Sequence, residues 1–474
     1  MRMLTTEEIA QASGGVAKGC AEITSVVIDN REVQNGSLFI AIKGERLDGH
    51  QFVPAAVDAG AAAVMIDKAH SDIVVDVPLI IVEDTRQAFL NLSKAYRLGF
   101  GKGLDEFPVV ALTGSVGKTT TKEMIWCVLN STYNTHKTYM NWNNDIGLPK
   151  VLLGLSNEHE ALVLEMGMDH KGEISTLTNT GLPDVAVITN VGVSHIENLG
   201  SREAILSAKL EIVEGLSNGA PLIINADNDM LSTVKESDFD KEIDIIRFGI
   251  KNHFDVYASD IKYVDDGTEF LVHVSNKFPQ NEGVHEIKIP TTGEHNVYNA
   301  LAAFSVGSVL GINADKIAEA LLSYAPAGMR ERIKTVNDVT IIEDCYNASP
   351  DSVRALSETL KIKGENKKRK IAVIGDMLEL GDYSEEAHSV CGEYLAKAGV
   401  DLLMTYGEKS KKTAETAREN GVLRVFDFDS KEELISKLIS IIKPGDVIAF
   451  KASRGMKLEE VIEKVYEELE KGEK

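Results

Sequence analysis

Residues 108–123 read PVVALTGSVGKTTTKE. A β-branched run breaks at a glycine and a helix-forming stretch follows, which is strand, short loop, helix. A phosphate held by such a loop needs glycines so that backbone N–H groups close around it, a lysine for the outer phosphates and a hydroxyl for Mg²⁺. Gly114, Gly117, Lys118 and Thr119 supply these, with Ser115, Val116 and Thr120 completing the cradle. The common Gly-x-x-x-x-Gly-Lys-Thr form would begin at position 112, where this chain has Leu112, so the loop is a variant. The bland alternative is a glycine-rich turn that binds nothing.

Strands at HEALVLEMG, DVAVITNVG and APLIINAD follow, separated by helices, in the layout of a doubly wound nucleotide-binding sheet. In such a sheet ligands gather at the carboxyl ends of the strands, and LEMGMDHKGE puts Glu165 there, where a carboxylate can hold Mg²⁺. The next strand ends in TNVGVSHIENLGS and presents His195 in the following loop. Alone, a histidine at a strand end is usually structural; its matching place beside Glu165 favours a catalytic site. Lys209 lies in the helical stretch SREAILSAKLEIVEGL and reads, without further information, as a surface lysine. Asn141, Asn143 and Asn144 in YMNWNNDIGLP either read a polar substrate or build turns.

Around this centre the chain divides into three α/β domains, at 1–104, 105–326 and 327–474. The first holds strand-like SVVIDN, SLFIAI, AAVMID and PLIIVED and a helix from Thr85 to Leu98, then a glycine-rich linker, GFGKGLDEFP. Residues 250–290 read as a subsidiary antiparallel sheet; GEHNVYNALAAFSVGSVLG and Ala314 to Tyr324 read as helices, with a boundary at APAGMRERI. The remainder has strands TIIEDCY, KIAVIGD, LLMTYG and DVIAFKAS. The basic loop KGENKKRK and the tail EELEKGEK read as solvated surface.

The 474 residues are 43% hydrophobic, enough for a core in each domain, and 50 Lys+Arg against 73 Asp+Glu give a net charge of −23. That charge disfavours nucleic acid and anionic membranes as partners. No apolar run reaches the length of a membrane span, and MRMLTTEEIA lacks the apolar stretch of a signal peptide, so the expected compartment is the cytoplasm. Cys20, Cys127, Cys345 and Cys391 are scattered and read as ordinary buried thiols rather than a disulfide or zinc framework.

Taken in order, TGSVGKTTTKE, NWNNDIGLP, LEMGM, HIENLGS with Lys209, GEHNVYNALAA, GMRERI, EDCYNASPDS and IGDMLELG resemble the Mur ligases of peptidoglycan synthesis over almost the whole chain, and within them the branch that adds a dipeptide. The Leu112 departure is shared with that family's phosphate loop. The resemblance implies a central phosphate-loop sheet flanked by an N-terminal UDP-substrate domain and a C-terminal Rossmann-like domain. It implies ATP and two Mg²⁺ ions, with Lys118 and Thr119 on the phosphates and first ion, Glu165 and His195 serving metal, and Lys209 carbamylated to hold the second. Asn296, Asn299, Arg330 and Asp344 would line the nucleotide pocket, and Asn347 falls in the EDCYNASP signature. Ser349 stands there where the family usually has a second asparagine. Asp29, Asn30 and Arg31 match the uridine-nucleotide segment, with Asn30 in place of the commoner serine.

The implied reaction joins UDP-N-acetylmuramoyl-tripeptide to D-alanyl-D-alanine through an acyl phosphate, by a monomer that is open until nucleotide draws the third domain in. Amino-acid-adding Mur ligases, folylpolyglutamate synthetases and a nucleotide-gated binding protein without ligase activity are the competing readings. EDCYNASPDS favours the dipeptide-adding branch over the first two, and the joint presence of Lys118, Glu165, His195 and Lys209 weighs against the third.

Overall fold

The run VVALT is buried at every position, as a central parallel strand must be when helices cover both faces of its sheet. In a computed structural model, which describes residues 1–251, 253–326 and 328–471, this strand lies deep in the second of three large sheets.

The first sheet contains β1 (Val16–Lys18), β2 (Ser25–Val27), β3 (Ser37–Ile40), β4 (Ala63–Asp67) and β5 (Leu79–Val82), in the order β1-β5-β4-β3-β2. Helix α1 (Thr6–Ser13) starts at a capping box between Thr5 and Glu8, and α2 (Thr85–Leu98) is capped by Asp84, whose side chain accepts from the Gln87 N–H. Phe89, Leu92 and Tyr96 of α2 are fully buried, each contributing on the order of 1.5–3 kcal/mol. They join the first sheet's core to that of the second without a break. The Tyr96 hydroxyl donates to the Leu155 carbonyl at 2.8 Å. The buried Arg97 guanidinium donates to the Gly101 carbonyl and lies 3.8 Å from Asp184. The glycine-rich stretch after α2 is thus fastened to the second unit.

The second sheet has nine strands: β6 (Val109–Thr113), β7 (Thr135–Lys137), β8 (Ala161–Glu165), β9 (Val185–Ile188), β10 (Ala220–Asn225), β11 (Ile243–Gly249), β12 (Val256–Val264), β13 (Gly267–Val274) and β14 (Gly283–Ile289). Their order is β14-β13-β12-β11-β10-β9-β6-β8-β7. Strands β7 to β12 pair in parallel, and the last two pair antiparallel. The antiparallel hairpins expected over 250–290 are therefore no subsidiary sheet: β12 pairs with β11 at Phe248 and Val256 and extends the main one. Helices α3 (Lys118–Asn130), α4 (Ile196–Leu199), α5 (Arg202–Leu210), α6 (Glu294–Val309) and α7 (Ala314–Leu322) belong to this unit, and α3 and α6 share a core with its β strands. The chain runs from β6 out to the β7 edge, back through β8, and then to β9 on the other side of β6, so a switch point opens at the carboxyl end of β6.

The third sheet contains β15 (Arg332–Val336), β16 (Val339–Glu343), β17 (Arg369–Gly375), β18 (Leu402–Tyr406), β19 (Val425–Phe428) and β20 (Asp446–Lys451), in the order β15-β16-β20-β17-β18-β19, with helices α8 (Pro350–Lys363) and α9 (Ser384–Lys397) among those beside it. Three architectural units with mixed, largely parallel sheets agree with the fold class read from the sequence.

Several details differ. TIIEDCY does not stay in a strand to Tyr346: β16 ends at Glu343 and Asp344 turns away. Arg369 and Lys370, read as surface loop, begin β17, where Arg369 clamps the buried Asp446 at 2.5 Å. Among the thiols, Cys345 and Cys391 are buried, Cys127 is half-buried and Cys20 is exposed, so the uniform buried reading fails at two positions. The boundary placed between 326 and 327 includes Ala327, which lies outside the described residues, as do the last three residues of the charged tail. No described helix is long and apolar enough to cross a membrane.

Candidate active site

The register of the sheet delivers the site. Leu112 of β6 pairs with Glu165 of β8, and Thr113 pairs with Ile188 of β9, so the three strands end level and their following loops face one space. That space is a cleft of about 1120 Å³ lined by loops from the second and third units, with Glu45 and Arg86 from the first. Arg86 donates to Asp145 at 2.7 Å, closing one wall.

The phosphate loop is braced from β9. The Asn190 side-chain oxygen accepts from the Ser115 and Val116 N–H groups, both at 2.9 Å, and its amide donates to the Val116 carbonyl at 3.1 Å. The Ser115 hydroxyl accepts from the Gly192 N–H at 2.9 Å. Gly117 has φ of +79°, and a Cβ there would meet the Asn299 Oδ1 at 2.8 Å, so both the turn and the close approach require glycine. A Cβ on Gly114 would collide with the Thr189 hydroxyl. Helix α3 then begins at Lys118 with no side-chain cap, leaving its first-turn N–H groups for an anion. Thr120 lines the cleft beside Lys118.

Lys118 donates to the Gly114 carbonyl at 2.7 Å. Burial holds its amine below the ordinary lysine range, Glu165 opposes that shift and Arg330 adds to it. The Thr119 hydroxyl donates to Glu165 Oε2 at 3.0 Å, and Asn143 donates to Glu165 Oε1 at 2.9 Å. Lys122, itself buried, lies 3.8 Å from Glu165 and 3.1 Å from Glu123. A hydroxyl and a buried carboxylate side by side are hard oxygen donors suited to a divalent cation.

Lys209 is 1% exposed on α5, so the surface reading of this residue is wrong. Burial and then repulsion from Lys118 hold its amine well below the ordinary range, and among the described residues no carboxylate pairs with it. His195 precedes α4 with φ of +62°, and its Nδ1 lies 3.0 Å from Asp169 and 3.1 Å from Glu379. Burial works against its charge, yet these two carboxylates raise its pKa above the usual imidazole value.

The opposite side of the cleft holds a buried relay. Thr121 donates to Asn299, Asn299 to Asn296, and Asn296 to Glu331 at 2.6 Å. Glu331 also accepts from the Thr359 hydroxyl of α8 at 2.6 Å and lies 3.0 Å from His295. Arg330 stacks over the Tyr346 ring at 4.1 Å. Asp344 pairs with Lys451 at 2.5 Å; burial raises its pKa and Lys451 opposes the rise.

The structure brings the loop, Glu165, His195, Asn296, Asn299, Arg330, Asp344 and Asn347 to one cleft, with Thr119 bonded to Glu165 on its floor. It does not bring Asp29, Asn30 and Arg31 there: Asp29 pairs with Arg31 at 2.6 Å on the first unit. Asn144 caps the helix at Gly147, and Asn141 lines the cleft exposed. Among the described residues, the Asn347 side chain bonds only its neighbour, accepting from the Ala348 N–H at 2.9 Å. Ser349 caps α8 by accepting from the Ser352 N–H, which accounts locally for its place in the signature. Glu379 reaches His195, and Lys363 donates to the Asp265 carbonyl at 3.0 Å, so the third unit rests on the second. Sequence reasoning missed Asn190, Lys122, Asp169, His295, Glu331 and Glu379. All lie in or beside quoted motifs, but only the fold pairs them.

Family models match three segments of the chain: residues 22–97 (Mur ligase family, catalytic domain), 112–307 (Mur ligase middle domain) and 330–454 (Mur ligase, glutamate ligase domain). The UDP-N-acetylmuramoyl-tripeptide–D-alanyl-D-alanine ligase of Bacillus subtilis is 41% identical, over 94% of this chain and 93% of its own. Among solved structures, MurF from Acinetobacter baumannii aligns with a TM-score of 0.89 at 31% identity, covering 98% of this chain and 99% of its own. MurF from Thermotoga maritima in complex with ADP aligns at 0.82 and 30% identity, covering 94% and 98%.

Proposed function

Because the chain belongs to the Mur ligase family, we propose that it joins D-alanyl-D-alanine to UDP-N-acetylmuramoyl-tripeptide with conversion of ATP to ADP and phosphate, giving the pentapeptide precursor of peptidoglycan. The observation that carries this reading is full-length similarity to ligases of that name, together with a cleft holding the phosphate loop and a buried Thr119–Glu165 pair.

A carboxylate is a poor acyl donor, so its oxygen first takes the γ-phosphoryl group of ATP, forming an acyl phosphate and ADP. The dipeptide amine then attacks the acyl carbon, and phosphate leaves the tetrahedral intermediate. Phosphoryl transfer needs positioning and charge neutralisation more than covalent help. The first-turn N–H groups of α3 and Lys118 receive the phosphates, Lys118 exchanging the Gly114 carbonyl for phosphate oxygen. Asn190 keeps the loop from reorganising at that moment. Asn296, Asn299, Arg330 and Asp344 hold the nucleotide between the second and third units.

Thr119, Glu165, His195 and Lys209 would hold two Mg²⁺ ions. When bound, the ions neutralise charge on the transferring group. Lys209 fits this set only as a carbamate: among the described residues its buried amine has no anionic partner, and it is held towards the neutral form, which can add to CO₂ with loss of a proton. Domain limits at 1–104, 105–326 and 327–474 match this division of labour, with Asp29, Asn30 and Arg31 taking the uridine end and Asn141 and Asn347 the peptide. Asn143 and Asn144 are better explained by the bonds they already make to Glu165 and Gly147. We place the enzyme in the cytoplasm as a monomer.

The test is phosphate release from ATP and Mg²⁺ with the UDP-tripeptide, with D-alanyl-D-alanine or single amino acids as acceptor, and products weighed by mass spectrometry. Dipeptide-dependent release with the pentapeptide mass is expected. Release driven by one amino acid would make this another ligase of the family, and nucleotide binding without release would leave a binding protein.

A further inference from the structure

The loop after β17 reaches across to the second unit and stops at His195. Its Glu379 has φ of +63° and His195 has φ of +62°, so on both sides of this contact an L residue is held in the left-handed region. The Glu379 side chain is 61% exposed, yet its carboxylate lies 3.1 Å from the largely buried His195 Nδ1, which Asp169 approaches at 3.0 Å from the second unit. The contact is supported by packing: Ile196, next in sequence, lies against Leu380, Met377, Ala348 and Val353 of the third unit. Among the described residues neither ring nitrogen of His195 makes a hydrogen bond, so the two carboxylates meet Nδ1 as ion-pair contacts alone.

We propose that Glu379 is a positioning residue that couples seating of the third unit to divalent-cation binding. Asp169 and Glu379 together draw Nδ1 towards them by charge and so bias the ring's orientation, which leaves Nε2 to donate its lone pair to a metal ion. Carboxylates on the far nitrogen of a ligating histidine orient it and increase its basicity. Because one of the two comes from the other unit, the histidine is fully oriented only when the loop is docked. Ion binding and docking therefore favour one another to the same degree. This inference rests on the reading of His195 as a metal ligand.

The experiment titrates Mn²⁺ into the full-length enzyme with a non-hydrolysable ATP analogue, followed by electron paramagnetic resonance. Wild type should bind two ions, and His195→Ala should lose one. Glu379→Gln should weaken that same ion by about 10–100-fold, Glu379→Asp should restore part of the loss, and the double variant should be no worse than His195→Ala. The retained first ion shows that each variant is folded. Hydrogen exchange over residues 377–383 should slow on adding Mn²⁺ in wild type and not in Glu379→Gln. If Glu379→Gln binds both ions as wild type does while His195→Ala loses one, the role of Glu379 is overturned and the metal reading stands. If His195→Ala keeps both at wild-type affinity, the metal reading falls and takes this inference with it.

Discussion

Replacing Asn190 with alanine asks whether the phosphate loop is shaped by its own sequence or held from the neighbouring strand. The substitution removes three hydrogen bonds to the loop, two accepted from N–H groups and one donated to a carbonyl. Each contributes about 0.5–1.5 kcal/mol net. The backbone bond from the Ser115 N–H to the Asn190 carbonyl, at 3.2 Å, survives, and Asn190 is only half-buried, so water can reach part of the vacated space. The lower half of the sum, about 1.5–3 kcal/mol, is therefore expected. If the loop must recover its shape to bind phosphate, the whole of that cost falls on nucleotide affinity, and the ADP dissociation constant rises by about 10–100-fold at ~1.4 kcal/mol per tenfold. Isothermal titration with ADP and Mg²⁺ reads this directly. Unchanged affinity would refute the brace. Tighter binding would mean instead that the Asn190 oxygen sits where a phosphate oxygen goes and competes with it.

Lys209→Ala is expected to lower turnover by about 10²–10³-fold, the usual effect of removing one stabiliser of developing charge. A carbamate resonance from ¹³C-labelled bicarbonate should appear in wild type and be missing in that variant, and wild-type turnover in the variant would discard the carbamate. The His295–Glu331 pair gives a pH dependence whose sign follows from linkage. His295 has a raised pKa, so its contribution is complete below the unfolded imidazole value and is lost as pH rises through the folded one. Glu331 has a lowered pKa, so its contribution holds above the unfolded carboxyl value and is lost as pH falls through the folded one. Contact between second and third units should be strongest between those limits. Limited proteolysis near residues 325–330 should accelerate as pH rises above the folded His295 value in wild type, and His295→Asn should remove that dependence. A flat profile in wild type would deny the pair any part in the contact.

The sequence carried the site best where chemistry is local. The phosphate loop and Glu165 are legible because a strand end, a glycine turn and a hydroxyl follow one another in the chain. The second helix was read at its observed limits, Thr85–Leu98, because its cap and periodicity are local too. Lys209 is not legible as a buried residue, since its burial depends on how its helix packs in the fold and not on a local pattern. The same holds for Asn190, which acts on residues 75 and 74 positions earlier in the chain. Glu331 is not legible in GMRERI, because its partners Asn296 and Thr359 come from α6 and α8. Residues 250–290 were correctly seen as antiparallel, but only the short parallel pairing of Phe248 with Val256 decides which sheet they extend.

The uninterrupted core between the first two units bears on how this architecture can be recombined. Phe89, Leu92 and Tyr96 sit in the core shared with the second unit, on a helix that belongs by sequence to the first, and the Tyr96 hydroxyl is anchored on Leu155. A chimaera cut at the glycine-rich stretch would give this helix a foreign surface, exposing or misfitting large apolar side chains along the seam. Exchange of the first unit between homologues should succeed only when α2 travels together with the Gly147–Leu153 helix it packs against. The unit that can be inherited intact is thus larger than the one its linker delimits.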